Sequence, residues 1–555
     1  MSRTSIHLPI VITLALVVFL FRLGVADWRG DADAQVAQII QDIRAGNGWV
    51  LPLRNGRHIP DKPPLLSWLG AVSAIVRGSP GDILDARLPS ALLATLCVVV
   101  VYGFAHSLAG EAVAWWAALM LLTTPQFITA ARDSRVDMAF SAFLTIGLVL
   151  AWRVYDGNGG RHSAWLAGLC FGLATLSKGP LALVLALLIF GVTLVLAPPQ
   201  PGWRALFGLP VLAASVGLPA LWYLAATVEQ GRAFLRLHLL EENLGRMAGG
   251  LGRWPLWYYI GPLLTLGLPW TLALPGAVGG ESALPSRSRR FLWTWVIVMF
   301  VFFSFSLGKR RVYLLPLRPA LAILLAGWLA PRLDPLRNQG RPTATPRAAH
   351  ATIASLVVVA FGCALAFRMG LGGVGAAPQQ WTHWWRLHLQ EYFLSTVILI
   401  VGLGIGADLM VGWTWQRRFD LAAYSLVGTL ALAWTIGLSS DAIVRGEALS
   451  FRPLAQRVSA EVSAMEPIAF LDVDDETAVC FLSHLRRHVP VVQSVAGSGP
   501  CTPPAPGAYL IAESQWDERG CGSNPRWSAI ARGGPEITSH RSQRMVLARF
   551  AGAPA

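Results

Sequence analysis

Leu65-Leu66-Ser67-Trp68-Leu69-Gly70-Ala71-Val72-Ser73-Ala74-Ile75-Val76-Arg77 is the stretch on which the topology of this 555-residue chain turns. It is apolar, yet well short of the ~20 residues that cross a hydrocarbon core. It follows a loop rich in charge (Arg54, Arg57, His58, Asp61, Lys62) and ends in Arg77. Those features read as a helix lying at a membrane interface. If it crossed instead, every later segment would change sides.

Outward from it, the chain is built for a bilayer. Hydrophobic residues make up 54% of it and charged residues 14%. Apolar runs long enough to span recur at about 7–26, 84–107, 112–131, 137–153, 162–177, 180–197, 205–228, 256–276, 291–307, 312–330, 350–369, 391–412 and 420–439. The fold class expected is therefore a polytopic α-helical membrane protein with about 13 spans. The first run has Arg3 before it, and Leu23-Gly24-Val25-Ala26 passes straight into Asp27-Trp28-Arg29 with no small-residue cleavage pattern. It reads as a retained anchor, not a signal peptide.

Arginine fixes the orientation. With the N-terminus placed in the cytoplasm, Arg153, Arg161, Arg204, Arg287, Arg289, Arg290, Arg332, Arg337, Arg341, Arg347, Arg417 and Arg418 fall in cytoplasmic connections. Of 45 basic residues only three are lysine, Lys62, Lys178 and Lys309, and all three land on the opposite face with most of the acids. Lysine is a compact point charge and arginine a planar fork, so the two are not interchangeable at a tight site. Base-composition drift leaving three stragglers is the bland alternative.

The outer face carries the candidate chemistry. Its first loop, 27–83, opens with Asp27-Trp28-Arg29-Gly30-Asp31-Ala32-Asp33, after which Val36, Ile39, Ile40 and Ile43 recur at helical spacing. Asp31 or Asp33 is either a helix N-cap or a working carboxylate. Asp61-Lys62-Pro63-Pro64 follows, and paired prolines hold Lys62 in a fixed turn. Arg132-Asp133-Ser134-Arg135-Val136-Asp137 joins two spans; a carboxylate there is either ion-paired with its neighbours or functional.

These residues, taken in order, resemble the bacterial aminoarabinose transferases that modify lipid A, relatives of protein O-mannosyltransferases in the GT-C glycosyltransferase superfamily. The resemblance runs over about 10–330. It is carried by the acidic first loop, Trp49-Val50-Leu51-Pro52, Asp61-Lys62-Pro63-Pro64, Ala86-Arg87-Leu88-Pro89-Ser90-Ala91 and Ala131-Arg132 with Asp137. Ser177-Lys178-Gly179-Pro180, Glu242-Asn243 with Arg246, Trp257-Tyr258-Tyr259 to Leu268-Pro269-Trp270, and Lys309 with Tyr313-Leu314-Leu315-Pro316 complete it. One departure matters: counting back from Trp49 puts Ala32 where the family has its catalytic Asp and Asp33 at the following Glu, whereas a one-residue insertion would restore Asp31.

The resemblance implies a GT-C transmembrane glycosyltransferase domain over 1–439 and inverting transfer of an aminoarabinose-type sugar from a polyprenyl-phosphate donor to lipid A. Protein or another envelope glycan is the alternative acceptor, and the location implied is the periplasmic face of a bacterial inner membrane. Catalytic roles are implied for Asp31, Asp33 and Asp137. Donor-phosphate binding is implied for Lys62, Lys178, Lys309 and Arg246, since a cation beside the leaving oxygen stabilises charge as it develops. Asp61, Arg132, Glu242 and Tyr313 would contact substrate. No organic cofactor is implied. A divalent metal at Asp137 stays open, although no compact His/Cys cluster is present.

After residue 439 the long apolar runs stop, and 440–555 reads as a small periplasmic α/β domain, with Ile468–Asp472 and Ala508–Ala512 as strands. Cys480, Cys501 and Cys521 fall there, and Cys501–Cys521 is the pairing expected of three thiols in an oxidising compartment. The net charge of +14 is explained by arginines in cytoplasmic loops facing anionic lipid headgroups, so membrane lipids and not nucleic acid are the expected partners. A lipid-linked sugar flippase is the rival class; it predicts paired repeats and charges near the midplane, where these charges gather at one face.

Overall fold

A computed structural model of the chain describes residues 6–28, 31–54, 57–58, 62–245, 254–333, 393–416, 418–448, 450–463, 465–473, 475–485, 489–495, 501–534 and 544–551. Among these, seven helices are long and apolar enough to cross a membrane, or nine if each of two bent pairs counts as one crossing. The expected count of 13 differs for local reasons. The run 112–131 is two helices, α5 (Glu111–Leu122) and α6 (Pro125–Ala131), set at 66°. The run 256–276 breaks between Leu256–Thr265 and Trp270–Gly279 at 107°. A proline begins α6, and Pro269 falls in the second break; each lacks the N–H that a continuing helix needs. Helix α1 (His7–Leu20) is apolar but 14 residues long, and the expected span 350–369 lies outside the described residues.

The stretch 65–77 forms α3 (Leu65–Arg77), a 13-residue helix ended by Gly78 in the left-handed conformation. It follows α2 (Asp31–Arg44) and a two-stranded ribbon, β1 (Leu53–Arg54) with β2 (Arg57–His58). Gly70 lets α3 lie close to its neighbours, since a methyl group there would sit 2.4 Å from Ile40 and 3.1 Å from the Asp85 carbonyl. That carbonyl belongs to α4 (Ile83–Ala109), which starts with a reciprocal cap in which Asp82 and Asp85 each accept from the other's backbone N–H. Arg77 donates to both carboxylates, locking α3 to the head of α4.

Helices α7 (Val136–Tyr155) and α8 (Arg161–Lys178) form the most intimate pair, and α9 (Leu181–Leu196) follows directly. Arg311–Leu333 packs beside α5 and α7, and Ser286–Phe305 packs against α9 and Arg311–Leu333. Their buried side chains, including Trp152, Trp295, Phe291 and Leu315, join α1, α4 and α5 in one apolar core. Polar bonds gather at one end of this bundle, where α1, α8, Ser286–Phe305 and Phe419–Leu438 finish and α4, α7 and Arg311–Leu333 begin.

Beyond Ser439 the chain forms a five-stranded sheet, order β4-β3-β5-β7-β6, from β3 (Ile468–Leu471), β4 (Val491–Val492), β5 (Gly507–Ala512), β6 (Trp527–Gly533) and β7 (Met545–Phe550). β3 runs parallel to β4 and β5, and β7 is antiparallel to β5 and β6. One face packs against helices Arg452–Glu461 and Asp475–Leu485, which continue into the apolar sides of α2 and α3 through Ala34, Ile40, Ala71 and Phe481. Cys501 and Cys521 form a disulfide with Cα atoms 5.6 Å apart, the pairing expected from the sequence.

Candidate functional site

The site is built around the turn that joins α6 to α7. Asp137 lies in the first turn of α7, where free backbone amides favour negative charge. Lys178 ends α8, where free carbonyls favour a cation. The two side chains form an ion pair, Lys178 Nζ on Asp137 Oδ1, with 14% and 12% of their surfaces exposed. The same ammonium sits 4.6 Å from the Tyr313 ring centroid and 5.4 Å from that of Phe140. Lys62 lies within electrostatic reach of Asp137. Four residues singled out in the sequence, Asp137, Lys178, Tyr313 and Lys62, thus share one neighbourhood.

Beside them opens a cleft of about 650 Å³, lined by α6, Asp133, Arg135, Asp137, Leu266 and Arg311. Gln126 shapes its wall. Its Nε2 donates to the Arg311 carbonyl at 2.7 Å, and its Oε1 accepts from Arg318 Nε at 2.7 Å. Arg318 also donates to the carbonyls of Pro262 and Leu263, in the last turn before the break in the 256–279 helix. Carboxylates and guanidinium groups therefore meet in one concave surface with a braced rim.

Asp33 sits behind this turn and not in the cleft wall. Its carboxylate, 3% exposed, accepts from Arg87 Nη2 at 2.6 Å, from Ser134 Oγ at 2.6 Å and from Ser134 N at 3.3 Å. Burial works to raise its pKa, but the Arg87 charge and bonds involving Asp133, Ser134 and Arg87 outweigh it and hold the carboxyl well below the usual range. Arg87 is fully buried, and its other bonds go to the carbonyls of Leu23, Ala26 and Asp27 at 3.2, 2.9 and 3.1 Å. Its guanidinium thus ties the chain after α1 to α2 and α4. α2 begins at Asp31, whose side chain lies outside the described residues.

Two cations have been drawn into helix ends. Arg132 donates to the carbonyls of Val18, Phe19 and Phe21 at 2.9, 3.1 and 2.8 Å and to Ser439 Oγ at 3.0 Å, so it anchors the end of α1. Lys309, 4% exposed, donates to the Ser304 carbonyl at 2.7 Å and to that of Ser306, closing the end of Ser286–Phe305. These bonds account for both side chains without a ligand. Asp61, Arg246 and the Glu242 side chain fall outside the described residues. Among the described residues, no three His, Cys, Asp or Glu side chains gather as a metal site requires.

Sequence reasoning passed over Arg87, Ser134 and Gln126 as individual residues. Arg87 did leave a signal: it stands on a largely apolar helix with no acid three or four positions away to pair with it.

The family described as dolichyl-phosphate-mannose-protein mannosyltransferase matches residues 61–226, a segment that contains Lys62, Arg87, Asp137 and Lys178. Undecaprenyl phosphate-alpha-4-amino-4-deoxy-L-arabinose arabinosyl transferase 2 of Pseudomonas fluorescens is 29% identical over 346 residues, covering 60% of this chain and 61% of that one. The corresponding Pseudomonas aeruginosa transferase is 31% identical over 314 residues, 54% of this chain and 55% of its own. The chain thus matches about three fifths or less of the length of these curated relatives. Among solved structures, apo ArnT from Cupriavidus metallidurans superimposes with a TM-score of 0.76 at 19% identity, covering 99% of each chain. The same protein bound to undecaprenyl phosphate gives 0.75 over 97% of each. This likeness shows that the chain has an ArnT-like fold.

Proposed function

We propose that this chain is a multi-pass membrane glycosyltransferase that moves a sugar from a polyprenyl-phosphate carrier to an envelope acceptor in the cleft beside Asp137. One observation carries the reading: the Asp137–Lys178 pair, with Tyr313 against the ammonium and Lys62 in reach, stands beside a cleft lined by carboxylates and guanidinium groups together. The names of the relatives support a 4-amino-4-deoxy-L-arabinose donor carried on undecaprenyl phosphate. The proposed acceptor is lipid A, at the periplasmic face of a bacterial inner membrane, with residues 440–555 as a periplasmic domain.

In the proposed step, an acceptor oxygen attacks the anomeric carbon from the face opposite the carrier. The bond from that carbon to the phosphate oxygen breaks, its electrons pass to the phosphate, and the anomeric configuration inverts. Lys62 and Lys178, with Arg246 as a further phosphate ligand, stabilise the departing oxygen as its charge grows. Asp137 fixes the Lys178 ammonium and presents a negative charge to the oxocarbenium-like sugar. A hydroxyl acceptor would give its proton to a cleft carboxylate, Asp133 or Asp137, while an ionised phosphate acceptor has none to give. Asp33, held so acidic by Arg87, is a poor proton acceptor. Its part is to fix the turn and keep a permanent charge behind it. Asp31 is proposed as a further catalytic carboxylate, and Asp61 and Glu242 as further substrate contacts.

The test is a mass-spectrometric transfer assay on the purified full chain with undecaprenyl-phosphate aminoarabinose and lipid A. A product heavier by one sugar establishes donor and acceptor together; intact donor after long incubation rejects this pair. Lys62→Arg keeps the charge but spreads it over a wider plane, so turnover should fall about tenfold or more. Near-native turnover in that variant would remove Lys62 from the mechanism.

A further inference from the structure

Asp27 precedes α2 and takes no part in the cleft, yet it is 5% exposed and held on several sides. Its carboxylate accepts from its neighbour Trp28 N at 2.8 Å and from Ser450 Oγ. His484 Nε2 stands 3.5 Å from Oδ1, and Arg452 Nη2 stands 3.7 Å from it. Apart from Trp28, these partners all come from the C-terminal part of the chain. The backbone of Gly446 lies so close that a methyl group there would be 2.6 Å from Asp27 N. Further along, Gln41 of α2 donates to the Ser483 carbonyl at 3.4 Å.

A buried carboxylate needs partners, and here a part of the chain more than 400 positions away supplies them. What Asp27 holds in turn leads to the cleft. Its carbonyl accepts from Arg87 Nη2, the same nitrogen that donates to Asp33 Oδ2. Asp33 then receives Ser134, between Asp133 and the first turn of α7. Each link is a direct bond between buried groups, which rotate little without breaking a partner.

We infer that the C-terminal segment is a positioning element for the acidic turn of the cleft, with Ser450, Arg452 and His484 clamping Asp27 so that Arg87 and Asp33 hold Ser134 in register. The inference rests on the proposed transferase reading for its kinetic consequence alone. Asp27, Ser450, Arg452 and His484 are positioning residues; none of them lines the cleft. A displacement of about 1 Å in a reacting geometry costs as much as ~100-fold in rate.

The test compares the full-length chain with two variants, Asp27→Asn and the combined Ser450→Ala/Arg452→Gln/His484→Gln, and with both together. Arg457→Gln, an exposed position on the same helix as Arg452, serves as control. Each variant should lower kcat about 10- to 100-fold while leaving donor KM within about twofold, and the two sets together should cost no more than either alone. Hydrogen exchange at residues 132–137 should quicken in both variants and stay native in Arg457→Gln. Native kcat, multiplied losses, or exchange at 132–137 unchanged would each overturn the clamp. If the native chain transfers no sugar, faster exchange still supports the clamp while the transferase reading fails; native exchange beside intact transfer fails the clamp alone.

Discussion

Asp33→Asn is expected to lower turnover by about 10²-fold and to destabilise the folded chain by roughly 3–5 kcal/mol. The amide keeps the volume and can still accept one hydrogen bond. It cannot neutralise Arg87, which is fully buried and has Asp33 as its ion-pair partner. A buried guanidinium without its counter-charge is the costly half of a broken pair. The pH dependence separates this from an ordinary loss of packing. Asp33 is held in the folded chain well below the ordinary aspartate value of 3.8, so its stabilisation is complete above that value and is lost as pH falls towards the folded pKa. The stability gap between native chain and variant should therefore be full near neutrality and shrink below about pH 4. Thermal unfolding in detergent from pH 7 to pH 3 measures it. A constant gap would mean that the Asp33 charge contributes nothing, and native turnover would remove Asp33 from the site.

That result bears on what the first loop displays in its letters. Asp31 and Asp33 read alike as helix-start acids, and no spacing rule shows which one faces a cation from a helix 54 residues later in the chain. The scarce lysines do not share one setting. Lys178 meets Asp137 and Tyr313, and Lys62 comes within reach of the same carboxylate. Lys309 instead donates to the last carbonyls of its helix, and in sequence a lysine just past a helix looks the same whether it faces a cleft or satisfies those carbonyls. Arg132 hid its role in the same way. The apolar runs marked where helices lie, but hydropathy alone reads through Pro125 and Pro269. The helix turn before the second bend supplies the carbonyls that Arg318 collects, beside the cleft. Side-chain partners across long sequence separation are what composition cannot display: Ser134 on Asp33, Gln126 on Arg318, and the C-terminal groups on Asp27.

Lys178→Met carries the other large effect. Methionine fills the aliphatic volume of the lysine and removes its charge, leaving Asp137 near the cleft without its bonded cation. Breaking a pair this buried should cost about 3–5 kcal/mol, and transfer should fall about 10²-fold or more if the ammonium stabilises the departing phosphate. Either loss alone fits two readings: a structural ion pair that any disruption damages, or a working cation that the carboxylate merely holds. Asp137→Asn combined with Lys178→Met separates them, since replacing both charges removes the uncompensated one. The double variant should recover most of the stability lost by Lys178→Met while transfer stays low. Unfolding and turnover measured on all four proteins close the cycle. Recovery of both together would make the pair architectural and move the phosphate site elsewhere. Recovery of stability alone would leave the charged pair itself as what the reaction needs, with the Lys178 ammonium held by the carboxylate at the head of α7 and the ring of Tyr313.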